Sequence, residues 1–185
     1  MNAVPTGGFL AALLEDMDES LLLALGDRIG KELSAAELLR DVIAAMTQRM
    51  CADRGAIFVL DSQAKQLVTV AAELPELPEI RVPVGCGIAG HVARTGRVVN
   101  IPFCEEDTRF WPKVDAQTGY KTRTMLAGPL RDEAGELIGV VQFLNKRPGG
   151  IFSGEDEKVF YGLSRQVAAL LAHTTLPGIG TLSPG

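Results

Sequence analysis

Three stretches of the chain hold residue types whose spacing permits chemistry. GCGIAG (85–90) matches G-x-G-x-x-G between a strand pattern and a helical one, which puts the backbone N–H groups of Ile88 and Ala89 at a helix N-terminus, where a phosphate or carboxylate can be held. NIPFCEEDTRFWPKVDAQTGYKTRT (100–124) is polar and aromatic with little periodicity. The single tryptophan, Trp111, lies there with Phe110 and Tyr120, beside Asp115, Thr118 and Thr122. An aromatic face with donors and acceptors suits a flat heterocycle carrying a sugar, and segments of this length are often lids. The alternative is a hydrophobic cluster under a loop. NKRPGGIFSGEDEK (145–158) closes an apolar run with Asn-Lys, turns at Pro-Gly-Gly, and after Phe152 opens a helical pattern on the pair Asp156-Glu157. By itself it reads as a strand, a turn and a capped helix.

Other chemistries lack their residues. No alternation of strands and crossover helices surrounds GCGIAG, and Gly96 stops its helix early, which argues against a dinucleotide-binding domain. Three cysteines without C-x-x-C, and two histidines, make a zinc site improbable. No histidine cluster or Gly-x-Ser-x-Gly elbow supports hydrolysis. A net charge of −5 and a pI near 5.1 argue against nucleic-acid or anionic-membrane surfaces as partners. No apolar run reaches the roughly 18–20 residues of a membrane span, and MNAVPTGG lacks the order of a signal peptide, so a cytoplasmic location is expected.

The elements that must position these stretches follow from hydrophobic period. Three- and four-residue steps from Ser20 to Met50 predict two helices, broken near Lys31–Ser34, with Ser34 and Glu37 in capping-box spacing. GAIFVLD (55–61) and KQLVTVAA (65–72) predict a hairpin, IRVPV a short strand, and residues 122–132 with 135–145 a second hairpin. Ser153 to His173 reads as a helix with Ser153 as N-cap and acidic residues in its first turn. Joined by short turns, such strands make a mostly antiparallel sheet and an α+β fold. Residues 1–19 read as an N-terminal segment, 20–173 as one domain, and 174–185 as a linker or tail.

GCGIAGHVARTGRVVNIP, then DTRFWPKVDAQTGYKTRTMLAGPLRDEAGELIGVVQFLNK, then FSGEDEK closely resembles a GAF domain of the type found in cyclic-nucleotide phosphodiesterases and adenylyl cyclases, over roughly residues 20–173. The resemblance implies a central antiparallel sheet with terminal helices on one face and a lidded ligand pocket on the other. Its NKFDE signature falls on Asn145, Lys146, Phe152, Asp156 and Glu157, and implies a structural Lys146–Asp156 ion pair behind the pocket. It also implies that a cyclic phosphate sits on the amides of Ile88 and Ala89, that Trp111, Asp115, Thr118 and Thr122 contribute from the lid, and that Gln142 lines the pocket. Ala56 and Glu73 fall at base-reading positions, and the aromatic stacker of the family is replaced by Ala72.

The expectation is a regulatory module without catalytic residues or cofactor. It would bind cyclic AMP or cyclic GMP and signal through terminal helices that form a homodimer, with the Pro/Gly tail leading to an output domain of a larger protein. Two alternatives stand beside it: a ligand-free dimerisation module, and a thiol enzyme reducing free methionine sulfoxide with Cys86 and Cys104.

Overall fold

The computed structural model describes residues 35–73 and 79–172. The chain runs α1 (Ala35–Arg49), β1 (Ala52–Asp61), β2 (Gln66–Ala72), β3 (Arg81–Pro83), α2 (Gly87–Thr95), β4 (Val99–Ile101), a 3₁₀ turn (Cys104–Glu106), α3 (Lys113–Thr118), β5 (Met125–Arg131), β6 (Leu137–Lys146) and α4 (Gly154–Ala172). Both hairpins, the short strand and the helices α1 and α4 stand where the periodicity puts them. The expected helix before Lys31, the cap at Ser34 and the tail lie outside the described residues.

One six-stranded sheet, ordered β3-β2-β1-β6-β5-β4, carries the fold, and every pairing is antiparallel. Successive side chains on a strand point to opposite faces, so each central strand divides its residues between two layers. Ile57, Val59, Val141, Phe143, Leu126 and Leu130 face α1 and α4 and form one core with Leu39, Ile43, Met46 and Phe160. Ala56, Phe58, Val140, Leu144, Met125 and Ala127 face the other way, under α2 and the 100–124 segment. Sequence and register therefore put the terminal helices on one face of the sheet and the glycine turn and lid on the other.

Close approach has its own sequence mark on the helix face. A Cβ on Gly128 would fall 2.5 Å from the ring of Phe160, so the bare backbone of β5 lets α4 settle onto the sheet. Phe160 and Phe143 then meet edge to face, 5.9 Å between centroids and 88° apart, an arrangement favoured by the ring quadrupoles.

The 100–124 segment is more ordered than its lack of period suggests. It holds β4, the 3₁₀ turn and α3, elements too short to show a hydrophobic repeat.

Candidate functional site

The glycine turn is built by backbone conformation. Gly85 and Gly87 take φ of +91° and +61°, which L side chains rarely adopt, and a Cβ on Gly87 would sit 3.2 Å from Cβ of Trp111. Cys86, the N-cap of α2, is extended and offers no side-chain hydrogen bond to the helix. The first amides of α2 therefore have neither an intrahelical acceptor nor a capping side chain. Ile88 and Ala89, nearly buried, carry these amides into a cavity between α2, the sheet and the 100–124 segment.

The floor of that cavity is low because of one row across the sheet. Ala72, Ala56, Gln142 and Ala127 stand side by side in register, so three methyl groups flank a single long polar side chain. Gln142 is 9% exposed, lines the cavity and makes no hydrogen bond to any described residue. The amide keeps solvent contact through the cavity, so Gln142 marks where a polar ligand group would find a donor and an acceptor.

Trp111, Val114, Asp115, Thr118, Tyr120 and Thr122 roof the cavity. Three of the expected ligand contacts are already engaged within the roof: Asp115 accepts from the Thr122 amide and hydroxyl at 2.7 and 2.8 Å, and the Thr118 hydroxyl donates to Val114 O at 3.0 Å. Tyr120 ties the roof down. Its hydroxyl donates to Asp53 Oδ2 at 2.7 Å and accepts from Asn145 Nδ2 at 2.8 Å, while Arg54 lies 4.0 Å over its ring. Burial first, then the bond to Asp53, holds the phenol protonated well above its ordinary range.

The 145–157 signature is now legible atom by atom. Asn145 takes φ +54°, a conformation asparagine tolerates better than most residues, and its Oδ1 accepts from the amides of Arg123 and Thr124. It anchors the end of the roof. Lys146 Nζ donates to Asp156 Oδ1 at 2.6 Å and to Met50 O at 2.9 Å, and the pair lies outside the cavity lining. Asp156 Oδ2 in turn accepts from the Ser153 amide, and Ser153 Oγ from the Asp156 amide, a reciprocal cap on α4. Burial alone would raise the Asp156 pKa, but the bonds from Lys146 and Ser153 outweigh it and bring it below the ordinary value. Phe152 is buried in the helix-face core, and Glu157 Oε1 accepts from Asn100 Nδ2 at 2.7 Å.

Seven of the expected ligand residues thus line one cavity: Ile88, Ala89, Trp111, Asp115, Thr118, Thr122 and Gln142. Two do not. Ala56 is 1% exposed, its short side chain covered within the floor, and Glu73 stands past the end of β2 away from the lining, its Oε2 buried without a partner among the described residues. Sequence reasoning missed Asp53 and Asn100, whose roles come only from contacts 67 and 57 residues away along the chain. It also missed the apolar lining from Phe58, Ile80, Val82, Met125 and Leu144, for which strand alternation was the available signal. The cavity itself is small, about 70 Å³.

Outside the cavity, Arg109 holds Asp107 by three hydrogen bonds of 2.6–2.9 Å and approaches His91 Nε2 on α2 at 3.3 Å. Arg94 approaches His91 Nδ1 at 3.4 Å. Burial, then the two guanidinium groups, lowers the His91 pKa from its ordinary 6.5. A neutral ring offers one acceptor nitrogen, so one arginine at a time is bonded. Cys104 is buried, and burial pushes its thiol up to about 12; Cys86 is exposed. No group of His, Cys, Asp or Glu among the described residues is arranged to hold a metal, and none of their helices is long and apolar enough to cross a membrane.

The model of the GAF domain family matches residues 34–171. The chain belongs to the GAF domain family. This GAF domain is 37% identical over 164 residues to dual 3′,5′-cyclic-AMP and -GMP phosphodiesterase 11 of Drosophila melanogaster, a match covering 80% of the chain and 11% of the relative. It is 35% identical over 178 residues to dual 3′,5′-cyclic-AMP and -GMP phosphodiesterase 11A of Takifugu rubripes, covering 86% of the chain and 20% of that protein. The chain thus spans only about a tenth to a fifth of the length of these relatives. Among solved structures it resembles the GAF domain of an Acinetobacter phosphoenolpyruvate-protein phosphotransferase, with a TM-score of 0.67 and 20% identity over 91% of this chain and 96% of that one. It also resembles a free methionine-R-sulfoxide reductase from Neisseria meningitidis, with a TM-score of 0.66 and 18% identity over 94% and 98%. At these identities the two structures speak for the fold alone.

Proposed function

We propose that this GAF domain is a non-catalytic regulatory module whose lidded cavity takes cyclic AMP or cyclic GMP. The observation that carries the reading is Gln142, an amide with no partner among the described residues, facing a cavity whose far wall presents the uncapped amides of Ile88 and Ala89. The phosphate would lie on those amides, Trp111 would supply a stacking face, and Gln142 would read the base edge with one donor and one acceptor. Similarity to proteins named as cyclic-nucleotide phosphodiesterases supports the ligand class.

A ligand of nucleotide size needs several times the roughly 70 Å³ available, because pockets for such molecules measure about 300–1,000 Å³. Binding therefore requires the roof to lift, and the energy difference between the closed and lifted states is what a ligand can act on. In this reading residues 20–173 form one cytoplasmic unit, and its terminal helices carry the change to a second copy of the chain and to an output domain.

A second reading is favoured by the same small volume: a roof closed on its own aromatics suits a ligand-free dimerisation module. The thiol reading fares worse. A thiol at about 12 is scarcely ionised at neutral pH, and thiolate is the reactive form, so Cys104 is a poor nucleophile. Calorimetry of the full chain with each nucleotide, with Trp111 fluorescence in parallel, separates the two leading readings. Micromolar or tighter binding with a fluorescence change supports the sensor; no heat with either nucleotide, in folded and ligand-free protein, sinks it.

A further inference from the structure

A second cavity opens at the free edge of the sheet and shares no lining residue with the lidded one. β4 pairs only with Met125–Ala127, so β5 continues from Gly128 to Arg131 without a strand on its outer side. The space left there, about 470 Å³, is bounded by Gly96–Val98, by Pro129 and Arg131, and by α4 from Phe160 to Arg165.

Its charge is unusual for this chain. Arg97, Arg131 and Arg165 line it and no carboxylate does, although the chain as a whole carries a net charge of −5. Arg131 is fixed in place: Nη1 donates to Gly135 O at 2.7 Å and Nη2 to Gly96 O at 3.1 Å. A side chain at Gly96, which also takes φ +63°, would occupy the space of that guanidinium. Arg97 and Arg165 are exposed and make no hydrogen bond or ion pair with any described residue. Three cations around one concavity repel each other, and an anion between them reverses the sign of that interaction. The remaining wall is apolar, from Val98 and Pro129 to the ring of Tyr161, which is 54% exposed and packs edge-on against the buried Phe160.

We propose that this edge cavity binds an organic phosphate, the phosphate gripped by the guanidinium groups and an apolar body laid against Tyr161 and Val98. Guanidinium suits phosphate because its planar fork donates two parallel hydrogen bonds. Arg97 and Arg165 have their forks free for this, while Arg131, held by Gly135 O and Gly96 O, adds a fixed positive charge. The volume falls within the roughly 300–1,000 Å³ of small-molecule sites.

Titration of the ¹⁵N-labelled full chain with phenyl phosphate, followed by amide chemical shifts, tests the site. Saturable shifts are expected at Gly96, Arg97 and Ser164 and none at Ile88 or Ala89, which keeps the outcome separate from that for the lidded cavity. Inorganic phosphate should bind about tenfold more weakly and phenol not at all. The double variant Arg97→Gln/Arg165→Gln changes two exposed, unpartnered side chains and so should keep the fold, while losing at least about tenfold in affinity, the scale of one charge-assisted hydrogen bond. Absence of saturable shifts at low-millimolar phenyl phosphate, or full-strength binding by the double variant, overturns the proposal. Inorganic phosphate binding as tightly as phenyl phosphate overturns its organic part.

Discussion

Phe143 and Gln142 are neighbours on β6 and belong to different worlds. Phe143 points to the helix layer, is wholly buried and meets Phe160 edge to face. Gln142 points to the roof, is almost as buried, and meets no partner among the described residues. One face of the sheet is filled with large side chains; the other carries a row of alanines and a cavity under a roof. A single strand period thus separates the residues that hold the domain together from those free to recognise something.

The contrast is broken most severely from the filled side. Phe143→Ala should lower stability by about 3–5 kcal/mol, read by urea unfolding, because the helix layer cannot collapse into the hole. Asp156→Ala comes next, at about 3 kcal/mol, since it strands Lys146 and removes the acceptor of the Ser153 amide and hydroxyl. Because the folded Asp156 pKa lies below the ordinary 3.8, its contribution is complete above pH 3.8 and disappears as the pH falls through the folded value. The stability gap between Asp156→Ala and the parent should therefore narrow in unfolding measured at pH 3 against pH 7.

From the cavity side the order of effects reverses. Trp111→Ala should weaken cyclic-nucleotide affinity by about 1–3 kcal/mol, measured by calorimetry, with little change in unfolding. Gln142→Leu should change stability little, since the amide makes no hydrogen bond to a described residue, while narrowing the difference between cyclic AMP and cyclic GMP by about 1–2 kcal/mol. A variant with lower stability and unchanged base preference would remove Gln142 from recognition. The smallest effect belongs to His91. Its lowered pKa means the neutral form is favoured in the fold, so stability should decline as the pH falls below 6.5 through the folded value, and His91→Gln should flatten that slope in thermal melts between pH 7 and 5.

The helix-face half of this contrast was legible in the sequence. The apolar runs along 55–61 and 135–145 and the period of 153–173 encode the strands and α4, because each extends over enough residues to be seen. The lid was legible as composition but not as structure, since β4 and α3 are shorter than one clear period. Trp111 and Gln142 were anticipated at the cavity. Ala56 and Glu73 were not brought to it: which residues of a floor are covered by their neighbours depends on side-chain heights across four strands. Asp53 and Asn100 were invisible for a related reason, as their partners are far away in the chain and of ordinary type.

The junction between α1 and β1 ends in a clasp made almost wholly of main chain on one side. Met50 O accepts from Lys146 Nζ, Cys51 O from the Arg147 amide, Ala52 O from Arg147 Nε and Asp53 O from Arg147 Nη2, four successive carbonyls answering two residues. A carbonyl sits in the same place whatever side chain follows it. At the exposed Cys51, whose φ is +46°, exchange for glycine or asparagine leaves the clasp intact, whereas insertion or deletion of one residue between Arg49 and Asp53 throws all four carbonyls out of phase with Lys146 and Arg147. The first helix is fastened to the sheet by spacing, and there the domain tolerates spelling errors but not a change of length.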